Sequence, residues 1–271
     1  RLFMQRFALD LDDEGRAALV QRASRYDQDV DSFDKLITGA IEPQRFDLAI
    51  PPRDYQRVGA SLLLKARGLL CADDVGVGKT ALAICALSDP VTWPALVVTL
   101  THLPTQWERE ILRFCPSLRV HRIRKGTPYD VRAFGKRARK PTAQQDLIEP
   151  GFPHVLIVNY HKLAGWADSL AGVVKTIVFD EVQELRNMGS RGKGVPAKYQ
   201  AAKLIAERCE YRCGLSATPI YNYGGEFYSV LSILRPDALG SRSEFLTEWC
   251  SGFDDKARIK DPRAFGAYLR S

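Results

Sequence analysis

Residues 72–80 read Ala72-Asp73-Asp74-Val75-Gly76-Val77-Gly78-Lys79-Thr80, and they lie between a short apolar run and a helix-forming stretch. The glycines at 76 and 78 let the backbone turn tightly and approach an anion, because they carry no Cβ. A loop that opens a helix presents backbone N–H groups and the positive end of the helix dipole to phosphate. Lys79 adds a point charge for the β- and γ-phosphates, and the Thr80 hydroxyl can bind Mg²⁺. We therefore predict a phosphate-binding loop.

This loop departs at one position from the strict pattern G-x-x-x-x-G-K-[ST], since Asp73 stands where the first glycine is expected. A Gly-Lys-Thr sequence alone is a weak signal. Its context is more specific, because a strand-like run leads into the loop and a helical stretch follows it. That context favours a phosphate loop over a glycine-rich turn without a ligand.

From about Pro51 onward, short apolar runs alternate with amphipathic stretches. Several of the runs are continuous Val, Ile and Leu, which is typical of strands covered on both faces in a parallel sheet. We predict a doubly wound α/β domain, with a parallel sheet sandwiched between helices. The predicted strands are 68–72, 95–100, 118–123, 155–159, 176–179 and 212–215. The predicted helices are 54–65, 79–87, 105–114, 196–208 and 225–234.

Two segments stand outside this alternation. Residues 1–48 are predicted to be an N-terminal accessory segment, with helices over 12–23 and 31–41. Residues 49–271 form the main domain, and within it about 124–153 is a basic, proline-containing stretch that we predict to be an exposed loop or insertion. The chain begins with Arg1-Leu2-Phe3 and has no initiator Met, so we expect it to be part of a longer protein.

A pair of acidic residues follows the apolar run 173–179, in the sequence Asp180-Glu181-Val182-Gln183. Carboxylates at the end of a buried strand are costly unless something uses or compensates them. Parallel α/β sheets bind ligands at the carboxyl ends of their strands, where the phosphate loop also lies. Asp180 is predicted to hold Mg²⁺ and Glu181 to orient the attacking water. A helix cap or a surface pair is the alternative for an Asp-Glu step taken alone.

Composition sets wide limits on the function. The chain has 271 residues, of which 45% are hydrophobic and 26% charged, and these proportions exclude disorder over its whole length. No apolar run reaches the roughly 18 residues of a transmembrane helix, and we expect no membrane partner. The net charge of +7 fits a polyanionic partner, although it also fits a basic soluble enzyme.

The six cysteines are scattered, which indicates reduced thiols and an intracellular location. Cys209 and Cys213 lack a second pair at zinc-site spacing, so we predict no metal there.

A third motif, Arg212-Cys213-Gly214-Leu215-Ser216-Ala217-Thr218-Pro219, follows a predicted strand. Together with the phosphate loop and the acidic pair, it resembles the first RecA-like lobe of the superfamily-two helicases, and within them the Swi/Snf ATPases most closely. That family favours an acidic residue at the position of Asp73. The resemblance covers roughly 51–271 and implies a RecA-like P-loop domain that uses ATP and Mg²⁺.

The resemblance assigns roles to residues at three places. Tyr55-Gln56 is similar to the upstream signal of the family, in which the glutamine amide reads the adenine edge. The predicted catalytic residues are Lys79, Asp180 and Glu181. Thr80 and Asp180 are predicted to bind the metal. Nucleotide binding is predicted for Tyr55, Gln56, Asp74, Val75, Gly76, Val77, Gly78, Lys79, Thr80 and Ala81. Coupling to DNA and to a second lobe is predicted for Gln183, Ser216, Ala217 and Thr218. Gln183 is a departure, since many members have His there.

The resemblance also implies a grip on the backbone of double-stranded DNA. The predicted contacts are Thr101, His102, Asn159, Tyr160, Arg186, Arg191 and Lys193. Further basic candidates are Arg122, Arg124, Lys125, Lys136, Arg137, Arg139, Lys140 and Lys198, although a run such as 135–140 is also typical of a solvated loop. The tryptophans at 93, 107, 166 and 249 could stack on bases. Their spread through the strand–helix pattern favours core packing instead.

We therefore interpret the chain as the N-terminal ATP-binding lobe of an ATP-dependent DNA translocase of the Swi/Snf type. An arginine contributed by a second lobe is worth about 10³ to 10⁵ in rate, and nothing after Ser271 supplies one, so we expect this lobe alone to bind ATP·Mg²⁺ weakly and hydrolyse it slowly. The alternatives are an RNA-directed helicase of the same superfamily and a nucleotide-switched module that binds DNA or protein without motor activity. A small-molecule kinase is more distant, because the Ser-Ala-Thr-Pro and Asp-Glu-Val-Gln motifs have no role in one.

Overall fold

Six parallel strands form one sheet in the computed structural model, in the order β1-β6-β5-β2-β4-β3. The structure describes residues 12–132, 151–187, 189, 194–218, 223–236, 238–252 and 257–268. Within these ranges the strands are β1 (Gly68–Cys71), β2 (Ala95–Thr99), β3 (Val120–Arg122), β4 (Val155–Asn159), β5 (Thr176–Asp180) and β6 (Tyr211–Leu215). Every predicted strand is present, and the predicted parallel α/β fold is confirmed.

Helices connect these strands. In chain order the α-helices of the described ranges are α1 (Asp13–Ile37), α2 (Asp54–Ala66), α3 (Lys79–Leu87), α4 (Pro104–Phe114), α5 (Tyr160–Leu170), α6 (Ala197–Ala206), α7 (Gly224–Leu234), α8 (Arg242–Trp249) and α9 (Pro262–Tyr268). Short 3₁₀ helices span Pro90–Thr92 and Val182–Leu185. All five helices predicted in the main domain are present.

The sheet is covered on both faces, as its continuous apolar strands predict. On β2, Leu96 and Val98 join one cluster of buried side chains, to which α5, α6 and α7 contribute. Ala95 and Val97 point to the other face and join a second cluster with α2, α3 and α4. Successive residues of a strand face opposite sides, so each strand must be apolar throughout. A third, aromatic cluster joins α7, α8 and α9.

The chain divides into two units, Arg1–Gln44 and Arg45–Ser271. The first unit contains α1, a single helix of 25 residues where we predicted two helices. Its N-cap is Asp12, whose carboxylate accepts the Gly15 N–H at 2.8 Å. No Gly or Pro lies between the two predicted helices, so nothing breaks the backbone hydrogen bonds there.

The predicted exposed stretch 124–153 is only partly described. Residues 124–128 are exposed, while buried side chains lie at both of its described ends. Val131 and Phe152 are buried, and Tyr129 packs against the same core cluster. These apolar and aromatic side chains are removed from water, which anchors both ends on the domain. The basic residues Lys136, Arg137, Arg139 and Lys140 lie outside the described residues.

Cysteines and tryptophans behave as core residues. All six cysteines are buried and unpaired, and burial raises the pKa of Cys85 and of Cys209 to about 12. Over the described ranges, no group of three or more His, Cys, Asp or Glu side chains is arranged to hold a metal ion. Trp93, Trp107 and Trp166 are buried, and Trp249 is half-buried in the aromatic cluster, so core packing is confirmed.

None of the described helices combines the length and the apolar character that crossing a membrane requires.

Candidate functional site

Three neighbouring strands bring the three sequence motifs to one edge of the sheet. Strand β6 lies between β1 and β5, and Leu215 at its end pairs with Cys71 on one side and Asp180 on the other. The phosphate loop continues from β1, the acidic pair from β5 and the Ser-Ala-Thr segment from β6. Residues separated by more than a hundred positions in the sequence therefore adjoin at the carboxyl edge.

The phosphate loop is built around two glycines with positive φ. Gly76 has φ +82° and Gly78 has φ +89°, and Gly78 is the N-cap of α3. A side chain at 78 would also collide with its neighbours, because a Cβ there would lie 2.6 Å from Nε2 of Gln56. The loop is exposed at its tip, where Val75 keeps 83% of its surface. Its backbone can thus face an anion at the start of a helix.

Lys79 lies across the loop that precedes it. Its ammonium group donates hydrogen bonds to the backbone carbonyls of Asp73 and Asp74, both at 2.8 Å. The charge is thereby held beside the loop at the N-terminus of α3. Thr80 follows in the same turn and is half-buried, while Ala81 is buried against the core.

Tyr55 and Gln56 on α2 contact the loop from the side. The Tyr55 hydroxyl donates to the carbonyl of Val77. The Gln56 amide donates to the carbonyl of Gly78 at 3.3 Å and accepts the Arg53 N–H at 3.0 Å. Gln56 is only 6% exposed. Both functional groups of its amide therefore support the loop and the helix start in this structure, and a ligand contact would compete with these bonds.

Asp180, the last residue of β5, is half-buried. Its Oδ2 accepts hydrogen bonds from the Thr99 hydroxyl at 2.8 Å and from the Trp107 indole N–H at 2.7 Å. Burial raises the pKa of the Asp180 carboxyl, and the nearby Glu181 charge raises it further. The bonds from Trp107 and Thr99 and the charge of Lys79 oppose that shift.

Glu181 follows in the left-handed region, with φ 54° and ψ 57°. This conformation ends the strand and begins the 3₁₀ helix Val182–Leu185. The Glu181 carboxylate accepts a hydrogen bond from Nε2 of Gln183 at 2.5 Å. Oε1 of Gln183 is buried, and the described residues offer it no hydrogen-bond partner. The amide thus holds Glu181 at the edge of the sheet and retains an unused acceptor.

The Ser-Ala-Thr segment begins between the other two motifs. The Ser216 N–H donates to the carbonyl of Cys71 at 3.1 Å, which ties this segment to the base of the phosphate loop. The Ser216 hydroxyl is buried and accepts the Thr218 N–H at 2.9 Å. Ala217 is half-buried and Thr218 is exposed. The residues predicted for coupling therefore lie beside the predicted nucleotide-binding residues.

The predicted nucleic-acid contacts within the described residues differ in their exposure and in their ion pairs. Thr101 and His102 are exposed after β2, and Arg186 is exposed near Glu226, with 3.7 Å between its Nε and the carboxylate. Arg191 and Lys193 lie outside the described residues. Among the further candidates, Lys198 pairs with Glu184 at 2.8 Å and Arg122 with Glu108 at 2.7 Å, while Arg124 and Lys125 are exposed.

Asn159 and Tyr160 require a correction. Asn159 is buried and caps α5, with its Oδ1 accepting the Lys162 N–H at 3.1 Å. Tyr160 is also buried, and its hydroxyl donates to the carbonyl of Asp180 at 3.0 Å. Both side chains are used within the fold and offer almost no surface to a phosphate backbone. We therefore remove them from the candidate interface.

The fold and the three motifs together define a RecA-like P-loop domain. A family model described as the SNF2-related domain matches residues 13–260. The chain belongs to that family, and the resemblance seen in the sequence is confirmed.

Several known proteins are similar to this chain. It is 28% identical over 211 residues to "Helicase ssl-1" of Caenorhabditis elegans. That alignment covers 73% of this chain and 8% of the relative. It is 28% identical over 198 residues to the "SWI/SNF-related matrix-associated actin-dependent regulator of chromatin subfamily A-like protein 1" of Bos taurus. That alignment covers 72% of this chain and 19% of the relative. The chain thus spans less than a fifth of these relatives.

Among solved structures, the "Sulfolobus solfataricus SWI2/SNF2 ATPase core in complex with dsDNA" superposes with a TM-score of 0.58 at 25% identity. The match covers 77% of this chain and 41% of that one. Enzymes of the SNF2 family hydrolyse ATP, typically with Mg²⁺.

The residues at the carboxyl edge fit ATP and Mg²⁺. The positive φ values of Gly76 and Gly78 expose loop amides in front of a helix N-terminus, which suits phosphate. Lys79 carries its charge beside that loop. Asp180 is anchored through Oδ2, and Thr80 provides a hydroxyl in the first turn of α3. A carboxylate and a hydroxyl are oxygen ligands of the kind Mg²⁺ prefers.

Sequence reasoning missed the residues that support the acidic pair. Thr99 and Trp107 both donate to Asp180, although they are 81 and 73 positions away from it in the chain. The strand order supplies the missing information, since β2 pairs with β5. No local pattern in the sequence reports that neighbourhood.

Proposed function

We propose that this chain is the ATP-binding lobe of an ATP-dependent double-stranded DNA translocase of the Swi/Snf type. The observation that carries the proposal is the meeting of Lys79, the Asp180-Glu181 pair and Ser216 at the ends of adjacent parallel strands. A DNA partner is supported by the similarity to an archaeal ATPase core solved with double-stranded DNA.

The phosphate loop binds the nucleotide in this proposal. Backbone amides of 74–80 face the phosphates, and Lys79 neutralises charge at the β- and γ-positions. Thr80 and Asp180 hold Mg²⁺, which supplies electrostatic stabilisation of the phosphate oxygens. Tyr55 and Gln56 lie against the loop, and Gln56 reads the adenine edge after exchanging its bond to Gly78.

Glu181 orients and polarises the water that attacks the terminal phosphate. Its carboxylate lies one residue beyond Asp180, and it exchanges the bond from Gln183 for a bond to water. Gln183, Ser216, Ala217 and Thr218 then couple this chemistry to DNA and to a second RecA-like lobe. Closure of a cleft between two lobes would advance the protein along DNA.

A second RecA-like lobe and double-stranded DNA are the partners in this proposal. An arginine that the second lobe supplies to the nucleotide contributes about 10³ to 10⁵ in rate. We therefore expect the 271-residue chain alone to hydrolyse ATP slowly. The exposed residues Thr101, His102 and Arg186, with Arg191 and Lys193, are the proposed DNA contacts. The unpaired cysteines support an intracellular location.

The decisive experiment measures ATP hydrolysis by the full-length protein that contains this sequence, with and without duplex DNA. Single-stranded RNA serves as the competing activator, and Lys79→Ala serves as the control for the nucleotide site. Stimulation by duplex DNA that disappears in the Lys79→Ala protein is the expected result. Greater stimulation by RNA would favour the RNA-directed helicase, and tight ATP-dependent DNA binding without turnover would favour the non-motor switch.

A further inference from the structure

We propose that Trp107 is a positioning residue of the metal site, which fixes the Asp180 carboxylate through its indole N–H so that the other carboxylate oxygen can bind Mg²⁺. The inference rests on the proposed function, because it concerns the metal that accompanies ATP. It adds a residue that acts through Asp180 and does not itself touch the nucleotide.

The contact is direct and removed from solvent. Trp107 lies on α4, is 2% exposed and packs in the core cluster on one face of the sheet. Its Nε1 lies 2.7 Å from Oδ2 of Asp180. The Thr99 hydroxyl lies 2.8 Å from the same oxygen, at the end of the strand that pairs with β5. Two donors from different elements therefore converge on one carboxylate oxygen.

Convergence on one oxygen has a chemical consequence. A carboxylate at the end of a strand can rotate about its terminal torsion, which has broad minima. Two hydrogen bonds to Oδ2 fix that rotation and occupy this oxygen, so Oδ1 is the oxygen available to a cation. Groups that orient metal ligands in this way typically contribute 10- to 100-fold in metal affinity.

Trp107 differs in this respect from two other buried tryptophans. The Trp93 indole donates to the carbonyl of Leu87 at 2.7 Å, and the Trp166 indole donates to the carbonyl of Lys125 at 2.8 Å. Those acceptors are neutral backbone groups that complete loops and helix ends. The Trp107 indole instead donates to an ionisable side chain in the candidate active site. Trp166 is therefore a matched control, since it is equally buried and also loses one indole bond when replaced by Phe.

The experiment titrates Mg²⁺ against equilibrium binding of a fluorescent ATP analogue to the 271-residue chain. Trp107→Phe keeps an aromatic ring and removes the donor, so we expect it to raise the Mg²⁺ concentration for half-maximal binding about tenfold. Trp166→Phe should leave that concentration unchanged. Steady-state ATPase assays of the full-length protein should show the same tenfold shift in Mg²⁺ dependence for Trp107→Phe.

A second pair of variants keeps the test decisive if Trp107→Phe fails to fold. Thr99→Val removes the other donor and should also raise the Mg²⁺ concentration for half-maximal binding. Thr99→Ser keeps the hydroxyl and should give the wild-type concentration. Unchanged Mg²⁺ dependence in both Trp107→Phe and Thr99→Val would overturn the inference. Failure of the proposed function looks different, because the wild-type chain would then bind the analogue with no dependence on Mg²⁺ or on Lys79.

Discussion

The polar groups at the two edges of the β-sheet differ in their exposure to solvent. At the amino edge, Thr92, His154 and Thr176 are all 0% exposed. The Thr176 hydroxyl donates to the carbonyl of Thr92 at 2.7 Å, and Nδ1 of His154 accepts the Arg119 N–H at 3.1 Å. At the carboxyl edge, the phosphate loop is exposed and the acidic pair is only partly covered.

This difference separates stability from function within one sheet. At the amino edge, the Thr176 hydroxyl and the Thr92 carbonyl are buried against each other, so removing one leaves the other unsatisfied. His154 is buried with Nδ1 bonded, while the described residues offer its Nε2 no hydrogen-bond partner. At the carboxyl edge, the exposed phosphate loop and Oε1 of Gln183 retain capacity for a ligand. Parallel α/β proteins in general form their ligand sites at the carboxyl ends of the strands. Substitutions at the two edges should therefore change different quantities.

Glu181→Gln should give the largest effect and should act on rate alone. The substitution keeps the shape of the side chain but removes the charge that polarises water, so kcat should fall by about 10² to 10⁴. ATP affinity should stay within a factor of about 3, since the general base contributes to the transition state and little to ground-state binding. ATPase assays of the full-length protein measure kcat, and equilibrium binding of a fluorescent ATP analogue measures the affinity.

Glu184→Gln is the matched control for Glu181→Gln. Glu184 lies in the 3₁₀ helix that Glu181 caps, but it pairs with Lys198 at 2.8 Å. It should leave kcat unchanged. An equal loss of activity in both variants would mean that the 3₁₀ helix, and no specific carboxylate, supports catalysis.

Lys79→Ala should weaken both nucleotide binding and turnover, by about 10²- to 10³-fold in kcat/KM, as expected for the loss of one preorganised charged donor. The folded state should lose little, because Lys79 bonds only to exposed loop carbonyls in the described part of the chain. Equilibrium unfolding and ATPase kinetics measured together separate the two effects. Lys203→Ala, at an exposed ion pair on α6, is the control. A large loss of stability in Lys79→Ala would contradict the view that residues at the carboxyl edge serve function and contribute little to stability.

The sequence predicts the carboxyl edge better than the amino edge. Continuous Val, Ile and Leu runs identify the strands, and Gly76, Gly78 and Lys79 identify the loop, because these signals are local. Helix α5 was not predicted, although Asn159 is a capping residue that could have indicated its start. Helix α8 carries a similar local signal in the capping box of Ser241 and Glu244.

Contacts across the sheet could not be predicted, for a physical reason. The bonds from Thr99 and Trp107 to Asp180 depend on which strands become neighbours, and the tertiary fold decides that order. Burial of Asn159 and Tyr160 depends on the same packing. A motif therefore fixes a residue near an edge, while the surrounding fold decides whether its side chain remains available to a ligand.

His154 at the amino edge should make the protein sensitive to acid. Burial, with a smaller contribution from the Arg119 charge, lowers the pKa of His154 from 6.5 to about 4. The folded state therefore binds this proton less tightly than the unfolded state does. The stabilisation is complete above pH 6.5 and is lost as pH falls toward 4, and it amounts to about 3 kcal/mol.

The test is urea unfolding of wild type and His154→Asn at pH 7 and at pH 4.5. Asn keeps an acceptor for the Arg119 N–H but cannot titrate. It also loses the stacking of His154 on Trp93, whose ring centroids are 4.1 Å apart, so the comparison uses the change with pH and not the absolute stability. Wild type should lose more stability than the variant over this interval. Equal losses would show that other groups cause the acid sensitivity.

Asp180→Asn should change stability less than the titration of His154 does, and its sign is opposite to that expected for an amino-edge residue. Burial raises the pKa of Asp180 above 3.8, so the folded state binds this proton more tightly than the unfolded state does. The resulting stabilisation is present below pH 3.8 and is lost as pH rises through the raised pKa. At pH 7 without Mg²⁺, the buried charge therefore opposes folding, and the neutral amide should increase the free energy of unfolding.

That gain should shrink as pH falls toward 4, because wild-type Asp180 becomes neutral too. Urea unfolding at several pH values measures it, with Asp168→Asn on the exposed face of α5 as the control. A stability cost of Asp180→Asn at pH 7 would mean that the bonds from Thr99 and Trp107 outweigh the burial of the charge. A gain would mean that the carboxyl edge keeps a destabilising charge, which is the expected signature of a group retained to bind a cation and not to hold the sheet together.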